Sequence, residues 1–314
     1  MTRRTLPGGM YGRERLAASL ADPEITIAPG VYDGISARLV EQQGFETGFL
    51  SGAGVSNSRL APPDVGFLSL PDIADLTRHL ADAVDIPIWV DADTGYGNAV
   101  GVHRTVRRLA DAGAAAVMIE DQEWPKRCGH MEGKSVIPFD EAVAKVEAAD
   151  AARREHAPEL LIKARTDAAT TRGLDEAVER LRAFADAGAD IVFADALTSE
   201  PDIRRVADEV DGAALSVNMG FGVRSRPTTP LIPARKLESM GVDAVIYPRL
   251  ITAAATAGMK RALGELRTAV ETPETYEAPD SVVDWESYMD LVGKPAVDDL
   301  EERFAVADDA GTQE

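Results

Sequence analysis

Short apolar runs alternate with amphipathic segments along most of the chain. Eight such runs occur, at residues 25–28, 47–50, 86–90, 116–119, 160–164, 191–193, 213–217 and 244–246. Runs of this length, bounded by polar turns, are typical of buried strands, whereas segments such as 174–187 have the apolar spacing of a surface helix. The pattern therefore predicts repeated βα units around a parallel sheet.

A junction of helix end, glycine and apolar strand recurs four times, at Gly44, Gly113, Gly188 and Gly241. A glycine at this point predicts a left-handed helix C-cap before the chain turns into the next strand. Eight βα units favour an α/β fold of the closed (β/α)8 TIM-barrel type, and an open doubly wound sheet is the alternative.

The predicted barrel occupies about residues 20–265 of a single domain that spans residues 1–314. A Pro- and Glu-rich linker near 272–279 separates it from an additional C-terminal helical extension at about 280–305. Trp285, Tyr288, Met289 and Leu291 give this extension an apolar character. We expect it to pack on the barrel or, by preference, on a neighbouring subunit.

The charge balance limits the kinds of partner. The chain has 53 acidic and 33 basic residues, for a formal net charge of -20. Such a field repels nucleic acid and anionic membranes, so neither is an expected partner, and it is typical of an acidic surface adapted to high salt. The chain has neither a long apolar run nor a secretory signal behind Met1, which predicts a cytoplasmic location.

Polar residues follow six of the predicted strands. They are Ser51 to Gly54, Asp91 to Asp93, Glu120 with Asp121, Arg165 to Asp167, Asp195 and Asn218. Any one of them could simply be a helix N-cap. Together they predict a functional site, because the C-terminal ends of barrel strands lie on one rim and carry the chemistry of this fold.

Acidic side chains dominate part of this rim. Asp91 and Asp93 lie two residues apart on one strand face, and Glu120 ends the next strand. Carboxylates this close need a cation, and an all-oxygen ligand set favours Mg²⁺, with Mn²⁺ possible. Asp64, in a Pro-Asp turn, could add an outer contact or could serve only the turn.

A long polar loop after the fourth strand contains Cys128, the one cysteine of the chain. A lone cysteine excludes an intrachain disulfide and is most often a small buried hydrophobe. Here Lys126, Arg127 and His130 surround it in sequence, and cationic neighbours lower a thiol pKa. We therefore interpret Cys128 as a group that transfers protons, on a glycine-containing loop able to close over a site.

The pentapeptide from Lys126 to His130 resembles the catalytic loop of isocitrate lyases and 2-methylisocitrate lyases. Further matching segments follow in the family's order: Ser51-Gly52-Ala53, Val90 to Gly97, Ile119 to Gln122 and Ala164 to Ala168. The resemblance covers about residues 25–250. By length and by the Lys-Arg form of the loop, the chain is more similar to the short 2-methylisocitrate lyases.

The resemblance implies a magnesium-dependent TIM barrel and a homotetramer that exchanges C-terminal helices between subunits. It implies that Asp91 binds the metal, while Asp64, Asp93 and Glu120 hold its waters. It also implies that the substrate, a small di- or tricarboxylate, contacts Ser51, Gly52, Ala53, Cys128, Gly129, His130, Arg165 and Asn218. Asp195, which stands where the family has a longer glutamate, is also expected to contact the substrate, and Gly220 replaces a polar residue. The substrate arginines expected beyond the last strand have no clear counterpart, although Arg249 is close.

The expected reaction is retro-aldol cleavage of isocitrate or 2-methylisocitrate to succinate plus glyoxylate or pyruvate. Arg165 and protonated His130 would stabilise the enediolate, and Cys128 would deliver the proton. Lys163 admits a Schiff-base aldolase as a rival mechanism. Two other functions remain open: an oxaloacetate- or phosphoenolpyruvate-directed decarboxylase, hydrolase or mutase of the same superfamily, and a non-catalytic organic-acid binding protein.

Overall fold

Eight parallel strands close into a barrel in chain order. The computed structural model describes residues 8–129, 131–220, 229–273 and 281–305, with side chains from residue 12 onward. The strands are β1 Thr26–Val31, β2 Gly48–Leu50, β3 Ile88–Asp91, β4 Ala116–Glu120, β5 Leu161–Thr166, β6 Ile191–Ala194, β7 Ala214–Asn218 and β8 Ala244–Tyr247. Because β8 pairs with β1 in parallel, from Thr26 opposite Ala244 to Pro29 opposite Tyr247, the sheet is closed. The predicted TIM barrel is confirmed and the open sheet is excluded.

Helices precede, connect and follow the strands along the chain. They are α1 Gly8–Ala21, α2 Gly34–Gln42, α3 Gly52–Val55, α4 Leu70–Ala83, α5 Ala99–Asp111, α6 Phe139–His156, α7 Ala168–Thr171, α8 Leu174–Asp186, α9 Glu200–Glu209, α10 Ala234–Glu238, α11 Leu250–Glu271, α12 Trp285–Leu291 and α13 Lys294–Phe304. A π-helical turn, Ser56–Leu60, follows α3. The apolar faces of α2, α4, α5, α6, α8 and α9 pack on strands that are buried on both sides, as expected for a parallel barrel.

The four glycine junctions form the predicted helix ends. Gly44, Gly113, Gly188 and Gly241 have φ angles of 80°, 95°, 103° and 85°, in the left-handed region that side chains disfavour. Each junction returns the chain to the N-terminal end of the next strand. The strands therefore all point the same way, and their C-terminal ends form one rim.

The chain divides into two compact units, Met1–Ala255 and Thr256–Glu314. The first contains the barrel. The second contains most of α11, with α12 and α13, and the predicted linker falls largely on residues 274–280, outside the described residues. Many large apolar side chains of the second unit are exposed: Met259, Leu263, Leu266, Val270, Val283, Trp285, Leu300 and Phe304. No helix among the described residues combines the length and apolarity needed to cross a membrane.

Candidate active site

A cavity of about 40 Å³ lies at the C-terminal rim of the barrel. Most of the predicted site residues line it: Ser51, Ala53, Asp64, Asp91, Cys128, Gly129, Arg165, Asp195 and Asn218. The remaining lining residues are Phe49, Met118, Phe193, Ile246, Pro248 and Arg249. The structure therefore gathers into one place residues that follow six different strands, as the rim argument predicts. His130 lies outside the described residues.

Asp91 is fixed at the end of β3 by two backbone groups. Its Oδ2 accepts a hydrogen bond from Gly52 N at 3.1 Å, and its Oδ1 accepts one from Asp93 N at 3.1 Å. A side chain at position 52 would place its Cβ 2.9 Å from Asp91 Oδ2, so glycine is required for this approach. Gly52 therefore positions a carboxylate, and its predicted contact with substrate stays a prediction.

Lys126 bridges two carboxylates beside Asp91. Its Nζ lies 2.5 Å from Asp64 Oδ1 and 2.6 Å from Asp93 Oδ1, and all three side chains are buried. Burial raises the pKa of Asp93 to about 7. The positive charge of Lys126 opposes this rise, and the negative charges of Asp91 and Asp64 add to it. Lys126 was interpreted only as a cation near Cys128. The structure pairs its charge with the acidic cluster.

The acidic residues fit a hydrated divalent cation. Among the residues that the structure describes, no three His, Cys, Asp or Glu side chains lie close enough together to hold a metal alone. However, Glu120 is buried with its Oε1 atom lacking a hydrogen-bond partner in the described chain, and burial raises its pKa well above the ordinary value. A cluster of carboxylates whose negative charge is only partly neutralised can bind a cation. Mg²⁺ suits such a site, because it usually binds one or two carboxylates directly and keeps several of its waters.

Arg165 forms the cationic side of the cavity and is surrounded by carboxylates. Its Nε lies 2.9 Å from Asp167 Oδ2, its Nη1 3.3 Å from Glu120 Oε2 and its Nη2 3.4 Å from Asp195 Oδ2. Burial lowers the Arg165 pKa, but the three carboxylates outweigh this effect and raise it well above its usual range. Arg165 is therefore held rigidly as a permanent cation.

The segment at residues 123–135, here called the Cys128 loop, contributes Cys128 and Gly129 to the cavity lining. Its ends are joined where Gln122 pairs with Val136 and where Glu123 N donates to Ser135 O at 2.9 Å. At its tip, Cys128 N donates to Asp64 O at 3.1 Å. Cys128 lines the cavity, and its side chain is partly exposed.

Lys134, in the same loop, was not singled out from the sequence. Its Nζ lies 2.6 Å from Asp167 Oδ1, 3.1 Å from Asp195 Oδ2 and 3.0 Å from Gly129 O. Asp195 was predicted to contact substrate, and here its carboxylate contacts both Lys134 and Arg165. A lysine six residues past a cysteine gives no periodic signal, so only the folded loop reveals this contact.

Lys163 is fully buried and does not line the cavity. Its Nζ lies 4.8 Å from the Phe193 ring centroid, 5.0 Å from Trp89 and 5.5 Å from Phe49, and it donates to Ser216 Oγ at 2.9 Å. Burial lowers its pKa to about 7. The amine is therefore neutral enough to attack a carbonyl, but it is enclosed by three rings, of which Phe49 and Phe193 line the cavity themselves. The geometry opposes the Schiff-base rival.

Known proteins resemble this chain along most of its length. Residues 16–267 match the family described as phosphoenolpyruvate phosphomutase. The 2,3-dimethylmalate lyase of Eubacterium barkeri is 37% identical over 287 residues, covering 91% of this chain and 96% of that protein. The probable 2-methylisocitrate lyase 2 of Corynebacterium glutamicum is 42% identical over 261 residues, covering 83% and 82%.

Solved structures agree with these relatives. A 2,3-dimethylmalate lyase superposes with a TM-score of 0.86 at 31% identity, covering 99% of this chain and 100% of that one. Oxaloacetate acetylhydrolase gives 0.85 at 31% identity over 94% and 97%. Phosphonopyruvate hydrolase, in complex with oxalate and Mg²⁺, gives 0.82 at 26% identity over 93% and 99%. Together with the rim geometry, these matches establish that the chain belongs to the phosphoenolpyruvate mutase/isocitrate lyase superfamily of enzymes.

Proposed function

We propose that this protein is a magnesium-dependent carbon–carbon lyase that cleaves 2-methylisocitrate, or its homologue isocitrate, between C2 and C3. The products are succinate and pyruvate from the first substrate, and succinate and glyoxylate from the second. One observation carries the proposal. Cys128, Arg165, Asp91 and Asp64 all line the same small cavity, which brings a candidate proton donor, a cation that can stabilise an anion, and carboxylates that can hold a metal close together.

The cation site centres on Asp91, with Asp64, Asp93 and Glu120 in position to hold water around it. When bound, Mg²⁺ supplies Lewis-acid polarisation of the hydroxyl and carboxylate oxygens of a 2-hydroxy acid. Support comes from Glu120 Oε1, which has no hydrogen-bond partner among the described residues, from the raised pKa of Asp93 and from the Mg²⁺ complex of the similar phosphonopyruvate hydrolase.

The residues of this chain have separate roles in the cleavage. Arg165, fixed by Asp167, Glu120 and Asp195, stabilises the negative charge that develops on the succinate-derived fragment. The thiol of Cys128 donates a proton to the C3 carbon of the substrate after the keto acid has separated from it. His130, when protonated, is expected to stabilise the negative charge on the same fragment. Ser51 and Asn218 line the cavity, where they can orient carboxylate and hydroxyl groups of the substrate.

The choice among 2-hydroxy acids depends on the substituent at C3. In 2-methylisocitrate this substituent is carboxymethyl, and in 2,3-dimethylmalate it is methyl. Arg249 lines the cavity, and within the described part of the chain no ion pair occupies its guanidinium. An available cation favours the substrate with the third carboxylate, because Arg165 already shares its charge among three protein carboxylates.

A homotetramer is the proposed assembly. The second unit exposes several large apolar side chains on α11 and α13, and exposed apolar surface marks protein–protein contacts. The partner in this proposal is another copy of the chain, consistent with the resemblance noted from the sequence.

The substitution Cys128→Ser tests the proposed reaction. Serine preserves size and hydrogen bonding, but its hydroxyl is a far weaker acid, so proton delivery fails while binding persists. We expect kcat to fall by at least about 10²-fold with a much smaller change in KM. Near-normal turnover of every hydroxy acid by the Cys128→Ser variant would remove the thiol from the mechanism and overturn the assignment.

A further inference from the structure

Lys134 makes an unusual set of contacts for a loop lysine. Its side chain is 4% exposed, although the loop that carries it lies at the surface of the barrel rim. The Nζ atom donates to Gly129 O and lies against Asp167 Oδ1 and Asp195 Oδ2, at 3.0, 2.6 and 3.1 Å. One ammonium group therefore contacts the tip of its own loop and the barrel at the same time.

The two sides of this contact belong to different structural elements. Gly129 follows Cys128 directly at the tip of the Cys128 loop, whereas Asp167 follows β5 and Asp195 follows β6. A hydrogen bond from an ammonium group to a carboxylate is about twice as strong as a neutral one. Lys134 therefore links the loop tip to the barrel rim through strong bonds.

Close packing at the tip shows that this link fixes a specific geometry. A Cβ built on Gly129 would lie 2.3 Å from Asp195 Oδ2, so the loop backbone rests directly on that carboxylate. Asp195 and Asp167 are both buried, and both form ion pairs with Arg165, which also forms an ion pair with Glu120. A second cation is needed to neutralise these carboxylates, and Lys134 supplies it where the tip touches the barrel.

We propose that Lys134 is a positioning residue that holds the tip of the Cys128 loop against Asp167 and Asp195 and so sets where the Cys128 thiol stands over the cavity. The expected effect on turnover rests on the proposed function. The expected effect on the position of the loop does not rest on it, because the exposure of Cys128 can be measured without any substrate.

The test compares three variants with the wild-type protein. Lys134→Met keeps the length of the side chain and removes the ammonium group, and Lys134→Arg restores a cation with several donors. Lys236→Met is the matched control, since Lys236 forms an exposed ion pair with Glu200 at 2.6 Å, away from the Cys128 loop. Each protein is treated with iodoacetamide, and the rate of Cys128 alkylation is measured well below the unfolding temperature.

We expect Lys134→Met to raise the alkylation rate by at least about 10-fold. This corresponds to a decrease of about 1.4 kcal/mol in the free energy needed to open the loop. Lys134→Arg should stay within about threefold of wild type, and Lys236→Met should leave the rate unchanged. Loss of a nearby positive charge alone would reduce the thiolate fraction and slow alkylation. A faster rate can therefore be assigned to release of the loop.

Kinetic constants give the second measurement. With a substrate that the wild-type protein cleaves, Lys134→Met should lower kcat by at least about 10-fold with a smaller change in KM, and Lys134→Arg should recover most of kcat. An unchanged alkylation rate in a folded Lys134→Met protein would overturn the proposal. Faster alkylation in a protein that cleaves no hydroxy acid would support the loop contact and reject the lyase function instead.

Discussion

Lys163 places an ionisable amine in the apolar interior of the barrel. Its Nζ is enclosed by Phe49, Trp89 and Phe193 and has the Ser216 hydroxyl as its hydrogen-bond partner. Burial, with a smaller contribution from Arg165, lowers its pKa from 10.5 to about 7, so the folded protein favours the neutral amine. The unfolded chain holds the proton up to about pH 10.

This difference fixes the direction of a pH effect. Between pH 8 and 10 the unfolded state binds more protons at this position than the folded state, so stability should rise with pH. The free energy of unfolding of the wild type, minus that of Lys163→Met, should increase by about 1 kcal/mol per pH unit in this window and stay flat below pH 7. Urea denaturation at pH 6, 8, 9 and 10 measures it. Parallel pH curves for the two proteins would contradict the assigned environment.

Residue positions at the rim could be predicted because strand geometry is regular. Asp91, Arg165 and Asn218 lie at the C-terminal ends of buried strands, and parallel strands place these ends together whatever the path of the loops. The partners of these residues could not be predicted in the same way. Lys126 reaches Asp64 and Lys134 reaches Asp195 across 62 and 61 residues, through a loop whose path has no periodic pattern.

At the scale of elements, two of the glycine junctions differ in what surrounds them. Gly44 has φ 80° and no heavy atom within 4 Å of an added Cβ. Gly188 has φ 103°, and an added Cβ would lie 2.5 Å from the Asp150 carboxyl carbon. Asp150 in turn contacts Arg153 at 2.8 Å, so it has little freedom to move.

Alanine substitution should separate the two effects. Gly44→Ala should cost about 1 kcal/mol, the strain of a left-handed backbone alone. Gly188→Ala should cost at least about 1 kcal/mol more, because it also forces a side chain into Asp150. The free energies of unfolding of both variants and the wild type can be compared in urea. An equal decrease in the free energy of unfolding of the two variants would show that Asp150 can move away from the new side chain without an energetic cost.

The helix ends and strands were predictable for a local reason, since glycine, apolar runs and helical spacing are all short-range signals. The Cys128 loop was predictable only as a polar segment. Its folded form depends on long-range bonds such as Cys128 N to Asp64 O, and no local pattern encodes these.

At the scale of the whole molecule, the apolar surface of α11 is the basis of the proposed tetramer. Met259, Leu263, Leu266 and Val270 are spaced by four, three and four residues, so they lie on one helix face, and each is more than half exposed. Thr268 lies on the opposite face of the same helix.

A charge on each face tests the proposed tetramer. In sedimentation velocity the wild type and Thr268→Asp should both run as tetramers, whereas Leu263→Asp should shift to smaller species, because it buries a charge in an apolar contact. A monomeric wild type, or a tetramer unaffected by Leu263→Asp, would contradict this assembly.

The proposed reaction is tested most directly by turnover of a substrate panel with Mg²⁺ present. The panel contains 2-methylisocitrate, isocitrate, 2,3-dimethylmalate, oxaloacetate and phosphoenolpyruvate, and the release of keto acid and its partner product is measured by chromatography. The account predicts succinate with pyruvate or glyoxylate from the tricarboxylates, loss of this activity with a chelator and recovery with Mg²⁺. Cleavage or rearrangement of oxaloacetate or phosphoenolpyruvate alone, or binding without turnover, would contradict the proposed lyase.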